Sequence, residues 1–509
     1  MKFLPVLAML VSGTAAMAQS PPVAAPPHNA PPPGRAETRR QATPAQATPA
    51  QAAVPLAPGT QVMSLEQAER LLVDRNLAVI AARRGVDAAR AQRLISNSLP
   101  PPTVSAGNIF GQFNEAGRVP PGAPQPRTIQ GARFLGPDNN IQVGLTALVE
   151  LGGKRTLRTR LAEENIGAAE AQVLDALRSQ LYVLRQNFFT ALGARANLEV
   201  ALANRAGLDR TEALLRRQLR DGAIPEGDLL RFQASRVVFE NDVATNAQAY
   251  AAAIAQIAVT LAADAADFRP GVAPPPPTRR GAASADPVRA ALSAIAFDVQ
   301  GRFATIPELG VSREEVGDAV QNRPDVVAAL RQASAAGANV ALAEAARWRD
   351  VTVNATAART RLNQNVPSGP LPLGANNQFG FQLSVPIFTR RIVEGNVGVA
   401  AGQASQADAI ARGTLLQARA DFATAWSAVE QARNLLRLYT GGALGRAESA
   451  YRSAEQAYLA GGSSLLEVLD ALRTLNTTRL AANAARTNYL VALAQLELAT
   501  GVSGISPRL

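Results

Sequence analysis

Residues 378–387, with the sequence QFGFQLSVPI, alternate large apolar side chains with small or polar ones. Residues 141–146 (IQVGLT) and 351–356 (VTVNAT) show the same alternation, and residues 103–113 show it weakly. Successive side chains of a β-strand point to opposite faces, so each segment predicts a strand with one apolar and one polar face. A transmembrane strand has this pattern, and so does a half-buried strand of a soluble sheet. The pattern alone leaves both environments open.

The sequence between these strands is helical in character. Residues 153–219 form one long pattern in which apolar side chains follow spacings of three and four, the seam of a coiled coil: Leu174, Leu177, Leu181, Leu184 and Phe188. A helix of that length is a rod of roughly 100 Å. The sequence DGAIP at residues 221–225 breaks it, and a second helix is predicted over residues 226–263. The expected product is a rod-like helical hairpin.

The same plan occurs twice along the chain. Residues 323–329 (RPDVVAA) match residues 76–82 (NLAVIAA), and residues 385–391 (VPIFTRR) match 149–155 (VELGGKR). An internal duplication follows, in which each half reads helix, strand, loop, strand, long helix, turn, helix. The first helix is expected to begin after Ser64, with Gln67 in capping-box position, and to continue to Leu99 before three prolines.

These patterns divide the chain into six parts. Residues 1–18 combine Lys2, an apolar run and a small-residue cleavage site, which is typical of a signal peptide, and residues 19–62 are predicted to be a disordered Pro/Ala-rich tail. The first repeat is placed at residues 63–264, with strands at about 102–113 and 140–150 and a hairpin at 153–263. An inter-repeat segment follows at 265–312. The second repeat is placed at 313–500, with strands at about 350–361 and 378–388 and a hairpin at 392–499, before a tail at 501–509.

Composition excludes most chemistry. The chain has no cysteine and one histidine, His28, so thiolate metal sites and histidine acid/base catalysis are not expected. We predict no catalytic residue, no cofactor and no metal site. The net charge of +11 comes almost entirely from arginines spread along helices beside acids, which argues against nucleic acid as a partner. No later run has the eighteen or so apolar residues of a membrane helix, so the exported chain is either soluble or crosses a membrane as a β-barrel.

Three segments together resemble the TolC-like outer-membrane efflux factors. They are residues 150–155 (ELGGKR) after a strand, residues 322–325 (NRPD) opening the second half, and residues 465–471 (LLEVLDA) after Gly461. The resemblance extends over residues 64–500. The ELGGKR segment is most similar to the heavy-metal branch, which serves cobalt, zinc and cadmium efflux. Many relatives carry a lipidated cysteine at the mature N-terminus, which this chain lacks.

The resemblance implies a mainly α fold with a membrane β-barrel portion. Three chains would form a 12-stranded barrel in the outer membrane of a Gram-negative bacterium, continued by an α-helical periplasmic tunnel. The homotrimer would be a passive duct for heavy-metal cations. Its partners would be a periplasmic adaptor (membrane fusion protein), an inner-membrane proton-driven pump and outer-membrane lipid.

The resemblance also implies roles for particular residues. Glu467 and Asp470, three residues apart on one helix face, would form the periplasmic gate, although two solvated acids would look the same. The first half has Asp228 and Arg231 at the matching positions. The hairpin tips would dock the adaptor, although a turn alone also explains their glycines; the candidates are Gly222, Ala223, Gly461, Gly462, Ser464 and Leu465. A barrel-to-helix junction, rather than a phosphate cradle, is expected at Gly152, Gly153, Lys154 and Arg155.

Two alternatives stay open on the sequence. One is an outer-membrane duct for drug efflux or type I protein secretion, because the tunnel is generic and the inner-membrane partner selects the substrate. The other is a soluble periplasmic coiled-coil adaptor, which would explain the helices and the signal peptide. Paired alternating strands in each half have no place in an adaptor and therefore distinguish the two classes.

Overall fold

A computed structural model describes residues 54–56, 60–110, 139–263, 265–268, 288, 291–292, 295–301, 303, 308–361, 363–366, 369–372 and 375–507. The predicted signal peptide at residues 1–18 lies outside the described residues, as do most of the predicted tail and of the inter-repeat segment. The repeat boundaries remain predictions.

Ten helices are described in these parts of the chain, and they account for most of its ordered backbone: α1 (Leu65–Arg75), α2 (Leu77–Asn97), α3 (Lys154–Arg220), α4 (Glu226–Thr260), α5 (Ala265–Phe268), α6 (Arg313–Ala319), α7 (Pro324–Ala345), α8 (Arg390–Leu438), α9 (Leu444–Leu459) and α10 (Leu465–Thr500). The described strands are β1 (Val62–Met63), β2 (Thr103–Phe110), β3 (Asn139–Val149), β4 (Asp298–Val299), β5 (Val351–Arg361), β6 (Asn363–Val366), β7 (Gly369–Pro372) and β8 (Asn376–Ser384).

Helix α3 is a single rod of 67 residues, which at 1.5 Å per residue is about 100 Å long. Of its predicted seam, Leu184 and Phe188 are buried and Leu177 and Leu181 are partly buried in the largest core cluster. Leu174, the first seam residue, is exposed. The spacing therefore identifies the packed face of α3 from Leu177 onward.

The first helical segment is two helices, where the sequence predicts one over residues 65–99. Ser64 and Gln67 form the predicted capping box at the start of α1. The backbone then becomes extended at Asn76, whose side chain accepts hydrogen bonds from the amides of Ala78 and Val79 at 3.0 and 3.1 Å. Asparagine is among the strongest N-cap residues, so a local cap at Asn76 overrides the continuous apolar pattern.

Four strands form one antiparallel sheet in the order β2-β3-β5-β8. The register pairs Leu145 with Ala355 and Ala355 with Phe381, so the apolar side chains of the alternating segments share one face. The other face carries polar and small residues such as Thr356 and Gln382. Within this sheet β2 and β8 are the two edges, each with one unpaired side.

The described elements follow the same order in both halves: helix, strand, strand, long helix, turn, helix. The start of α8 lies 236 residues after the start of α3 (390 − 154), and the end of α9 lies 239 after the end of α3 (459 − 220). The first arm of the second hairpin therefore contains three extra residues. A π-helical segment, Tyr439–Ala443, lies within it, with Gly442 at a positive φ of 121°.

Strand β8 ends at Ser384, four residues before the predicted end at 388. Pro386 has no amide hydrogen to donate to a ladder, and Phe388 has a positive φ of 57°, so residues 385–388 do not continue the strand.

The predicted tail at residues 19–62 needs correction at its end. Val54 and Leu56 pack against the main core, and Val62 pairs with Asp298 in the short parallel β1–β4 ladder. The apolar side chains of Val54 and Leu56 are partly buried against this core, which favours an ordered position for the residues that carry them.

One described helical stretch, Arg313–Ala345, is long and apolar enough by length and composition to cross a membrane. It is interrupted by a 3₁₀ turn at Val320–Asn322. Its longer part, α7, packs along α3 and α8. We therefore describe it as part of the helical body.

Candidate functional site

The first hairpin tip joins α3 to α4 through a tight backbone turn. Gly222 has a positive φ of 71°, and the amide of Ala223 donates to the carbonyl of Gln218 at 2.8 Å. Gly222 and Ala223 are exposed. Glycine at this position ends an α-helix at low cost because it adopts the left-handed conformation without strain.

The second tip repeats this geometry between α9 and α10. Gly461 has a positive φ of 77°, and the amide of Gly462 donates to the carbonyl of Ala457 at 2.8 Å. Ser464 caps α10, because its hydroxyl accepts a hydrogen bond from the amide of Glu467 at 3.3 Å. Leu465 is half-buried and packs toward the other hairpin.

Glu467 and Asp470 lie in the first two turns of α10, and both are exposed. Val468 and Leu469, between them in sequence, are buried on the opposite side of the helix. At the matching positions of α4, Asp228 and Arg231 form an ion pair at 3.9 Å. The structure thus places two acids of like charge on one exposed face of α10 in the second half. At the matching positions of α4 in the first half, the two charges are opposite and form a pair.

The two hairpins pack on each other near their tips. Their shared apolar cluster joins α3, α4 and α10: Leu208, Leu215, Phe232, Phe239, Leu469 and Leu472. Tyr458 packs at its margin, where burial and the nearby negative charge of Asp228 raise the pKa of its phenol. Glu467 and Asp470 therefore lie on a helix that packs against the first hairpin.

Further from the tips, polar side chains link the hairpins. Asn204 of α3 donates to Asn476 of α10 at 2.7 Å, and Asn476 donates in turn to Asp242 of α4 at 3.2 Å. Asn483 of α10 donates to Asn197 of α3 at 3.0 Å. Buried amides of this kind fix the register of packed helices, because any shift would leave them unsatisfied. Sequence reasoning missed them, since each partner lies more than 230 residues away.

Two ion pairs stabilise the junction between β3 and α3. Lys154 pairs with Asp350 at 2.8 Å, and Asp350 also accepts the amide of Leu151 at 3.1 Å. Glu150 pairs with Arg158, and this hydrogen bonding raises the pKa of the arginine. Arg155 is exposed. Lys154 of the first half thus pairs with a carboxylate of the second half, and this ion pair is a structural contact between the two halves.

Gly152 and Gly153 both have positive φ, at 76° and 68°. A Cβ on Gly152 would lie 2.7 Å from the Trp348 side chain. Both the backbone conformation and the close approach of the indole therefore require glycine at residue 152.

A second feature missed by sequence reasoning is a clamp between the start of α7 and the end of α10. Arg323 is buried; it pairs with Asp325 at 2.7 Å and Asp421 at 3.2 Å, and it donates to the carbonyl of Ala499 at 3.1 Å. In the first half Asn76 donates to the carbonyl of Thr260 at 2.7 Å. The NRPD segment was the available signal, although it did not reveal these partners.

No group of three or more histidine, cysteine, aspartate or glutamate side chains that could hold a metal ion occurs among the residues that the structure describes. Helix ends, an apolar sheet face and exposed acids can bind lipid, protein or passing ions.

Solved structures of several outer-membrane proteins share this fold. The CmeC outer membrane channel of Campylobacter jejuni has a TM-score of 0.66 at 16% identity, over 86% of this chain and 85% of that one. The open state of the MtrE outer membrane channel of Neisseria gonorrhoeae has a TM-score of 0.62 at 19% identity, over 89% and 96%. The outer membrane protein VceC of Vibrio cholerae has a TM-score of 0.60 at 18% identity, over 86% and 96%. The fold is therefore that of an outer-membrane channel.

The family model described as "Outer membrane efflux protein" matches residues 316–502. No curated protein matches the sequence. The match and the fold together support the TolC-like efflux family and the predicted outer-membrane location. The members of that family and the solved structures of this fold are channels rather than enzymes.

Proposed function

We propose that this chain is the passive outer-membrane channel of a tripartite efflux pump, assembled as a homotrimer. The channel fold and the family match support efflux. The trimer and the closed barrel are inferred from the open edges of the sheet and of the helical body, and the partners and the cargo are proposed from the resemblance to the TolC-like efflux factors.

The observation that carries the proposal is the apolar face of the four-stranded sheet. Phe379 is 85% exposed and Phe381 is 72% exposed, and Val104, Val143 and Leu145 lie on the same face. A contiguous apolar surface of this kind is rare in water and marks an interaction with lipid or protein. The opposite face is polar, as expected for a strand between lipid and a water-filled lumen.

The open edges of that sheet support oligomerisation. Hydrocarbon offers no hydrogen-bond partners, so a sheet in lipid must close on itself. A four-stranded sheet is half the size of the smallest single-chain bacterial barrels, which have about eight strands. Pairing β8 of one chain with β2 of the next removes both edges, and three copies of the four-stranded sheet give twelve strands.

Like the sheet, the packed helices have two open sides. Near the sheet, α2 packs on α3, α3 on α7 and α7 on α8, so α2 and α8 lie at the two sides. Apolar side chains are exposed on both: Leu77, Leu94 and Ile95 on α2, and Ile392, Val399 and Ile410 on α8. Contact between α2 of one copy and α8 of the next would bury these side chains and continue the barrel as a helical tunnel. The same exposed apolar face argues against a soluble adaptor.

At the far end, three copies of α10 would bring Glu467 and Asp470 together as six carboxylates. Rings of acidic side chains select and gate cations. The tips, with Gly222, Ala223, Gly461, Gly462, Ser464 and Leu465, are the proposed docking surface for a periplasmic adaptor, which couples the duct to an inner-membrane proton-driven pump. Heavy-metal cations are the proposed cargo, supported by the ELGGKR segment and the acidic gate.

Fractionation and assembly test this function. We expect the chain, expressed in a Gram-negative host, to fractionate with the outer membrane and to be extracted as a species of three chains by native mass spectrometry. Planar bilayers containing it should conduct ions without added nucleotide. Recovery as a periplasmic monomer would refute the proposal.

A further inference from the structure

Three chain segments converge at the end of the sheet that faces the helices. The pairings Val149 with Val351 and Thr352 with Ser384 bring together residues 150–155, 344–350 and 385–394. The first segment follows β3, the second precedes β5 and the third follows β8. We call these three segments the collar.

The acids of the collar are largely neutralised within the chain. Glu150 pairs with Arg158, Asp350 with Lys154 at 2.8 Å, and Glu394 with Arg390 at 2.8 Å. Glu344 is the single acid of the collar that forms no ion pair with another described residue, and it is exposed.

Four collar arginines, in contrast, are exposed and form no ion pair within the described chain: Arg155, Arg347, Arg349 and Arg391. Because four guanidinium groups face one free carboxylate, the collar presents a net positive charge. Phosphate groups are the natural bidentate partners of arginine.

Two aromatic side chains lie among these arginines. Trp348, between Arg347 and Arg349, is 65% exposed although its inner edge touches Gly152. Tryptophan is concentrated at membrane–water interfaces, where an apolar ring with one polar group is well solvated on both sides.

Phe388 is more unusual. Its side chain is 90% exposed, and its backbone has a positive φ of 57°. A bulky residue in the left-handed region is a strained outlier, and such strain persists only when the surroundings stabilise it. In the first half, glycine holds the matching position at residue 152. Contact with water does not offset the backbone strain at Phe388, whereas burial of its ring among lipid chains does.

We propose that the collar binds the headgroups of anionic phospholipids in the membrane leaflet on the helical side of the sheet. Arg155, Arg347, Arg349 and Arg391 contact the phosphates, while Trp348 and Phe388 enter the adjoining acyl region. The collar thereby fixes the depth of the channel. This inference rests on the proposed insertion of the sheet in the outer membrane.

Charge and position favour lipid over a protein partner. The collar directly continues the apolar sheet face, through exposed Leu383, Val385 and Ile387. A surface that changes from apolar to aromatic and basic over a few residues matches the change from acyl chain to anionic headgroup. The hairpin tips, where a protein partner is proposed, lie at the opposite end of the long helices.

Fluorescence quenching by brominated lipid tests the collar directly. The chain has two tryptophans, so Trp426→Phe leaves Trp348 as the only indole. The full-length trimer is reconstituted in phosphatidylcholine vesicles that contain equal fractions of brominated phosphatidylglycerol or brominated phosphatidylethanolamine. We expect brominated phosphatidylglycerol to quench Trp348 several-fold more strongly. The matched variant Trp348→Phe, which reports from Trp426 alone, should show little quenching by either lipid.

Charge variants separate the arginines from general lipid contact. Substituting glutamine at all four collar arginines should make quenching by the two brominated lipids equal, because each basic residue at the surface contributes about fivefold to anionic lipid binding. The control removes the same charge elsewhere, at four exposed arginines that form no ion pair within the described chain, Arg83, Arg419, Arg452 and Arg473, and should retain the preference.

The outcomes are distinct. Equal quenching by both lipids in Trp426→Phe, or loss of the preference in the control variant, overturns the collar inference. If the same vesicles conduct ions, the proposed channel function stands without it. If Trp348 is quenched by neither lipid and the vesicles do not conduct, both proposals are wrong.

Discussion

The sheet is joined to a long helix by Gly152 and Gly153 in the first half and by Phe388 and Thr389 in the second. Both joints need a residue with positive φ at the same position, 76° at Gly152 and 57° at Phe388. The first half uses glycine, which the Trp348 side chain approaches closely, whereas the second half uses a strained phenylalanine that is 90% exposed. The joints share a positive φ at their first residue but differ at the second, where Gly153 has φ 68° and Thr389 has φ -86°.

The clamps at the helix starts also differ between the halves. Asn76 and Arg323 both donate to the last turn of a returning helix, at the carbonyls of Thr260 and Ala499. The first half does this with a neutral amide and the second with a guanidinium that also holds Asp325 and Asp421. The duplicated backbone plan is therefore kept, while the clamp of the second half carries charges that the clamp of the first half lacks.

The clamps should give the largest difference between the halves. Arg323→Met removes the guanidinium that pairs with Asp325 and Asp421, which we expect to lower the free energy of unfolding by about 3 kcal/mol. Asp325 then keeps only its longer ion pair with Arg178, at 3.6 Å. Asn76→Ala loses a cap and one buried hydrogen bond, with an expected loss of about 1–2 kcal/mol. Urea unfolding of the detergent-extracted protein measures both. Equal losses would show that the added charge of the second clamp contributes nothing.

The two joints should respond with opposite signs. Gly152→Ala places a methyl group against Trp348 in a strained backbone, so we expect destabilisation of about 2 kcal/mol. Phe388→Asn places a residue that tolerates positive φ at the matching position and should stabilise the extracted protein by about 1 kcal/mol. Thermal unfolding in detergent tests the pair. Destabilisation by Phe388→Asn would mean that its ring packs on protein.

The hairpin tips should differ in ion selectivity. Replacing Glu467 and Asp470 with alanine should reduce cation preference and block by multivalent cations by about twofold or more, because a ring of six carboxylates is removed. Replacing Asp228 and Arg231 with alanine, which removes a neutral pair, should leave both properties unchanged. Single-channel recordings in bilayers compare the two. Identical recordings for the acidic double variant and wild type would make these acids ordinary solvated residues.

The smallest effect concerns pH. Burial opposes ionisation of Asp325, but the hydrogen bond from Arg323 and the charge of Arg178 outweigh it and lower its pKa. A carboxyl whose folded pKa is depressed stabilises the fold above its unfolded pKa, and this stability is lost as pH falls through the folded value.

We therefore expect the contribution of Asp325 to the free energy of unfolding to fall by under about 1 kcal/mol between pH 7 and pH 3. The effect is small because the carboxyl is partly exposed. The loss should be absent in Asp325→Asn. A variant with the same pH profile as wild type would assign the acid sensitivity to other carboxylates.

Local chemistry made several features predictable from the sequence. Alternation at residues 378–384 gave a strand, because side-chain direction in a strand depends only on neighbouring residues. The Ser64 and Gln67 capping box and the glycine turns at residues 222 and 461 followed for the same reason, since their hydrogen bonds close within a few residues. The duplication was visible because matching segments preserve these local signals.

Long-range contacts could not be predicted. The cap that breaks the helix at Asn76 is local, but its bond to Thr260 reaches 184 residues away, and Arg323 reaches Ala499 across 176 residues. The sequence also placed residues 385–388 in a strand, without a signal that Phe388 would adopt a positive φ.

The sequence by itself determined the local elements, their duplication, the polar and apolar faces of the strands and the family resemblance. Only the tertiary structure decided which faces stay exposed, which acids are neutralised and which arginines remain without partners. The physical reason is that helix, strand and turn signals arise from backbone geometry over a few residues. Burial and ion pairing instead depend on elements that are brought together from opposite halves of the chain.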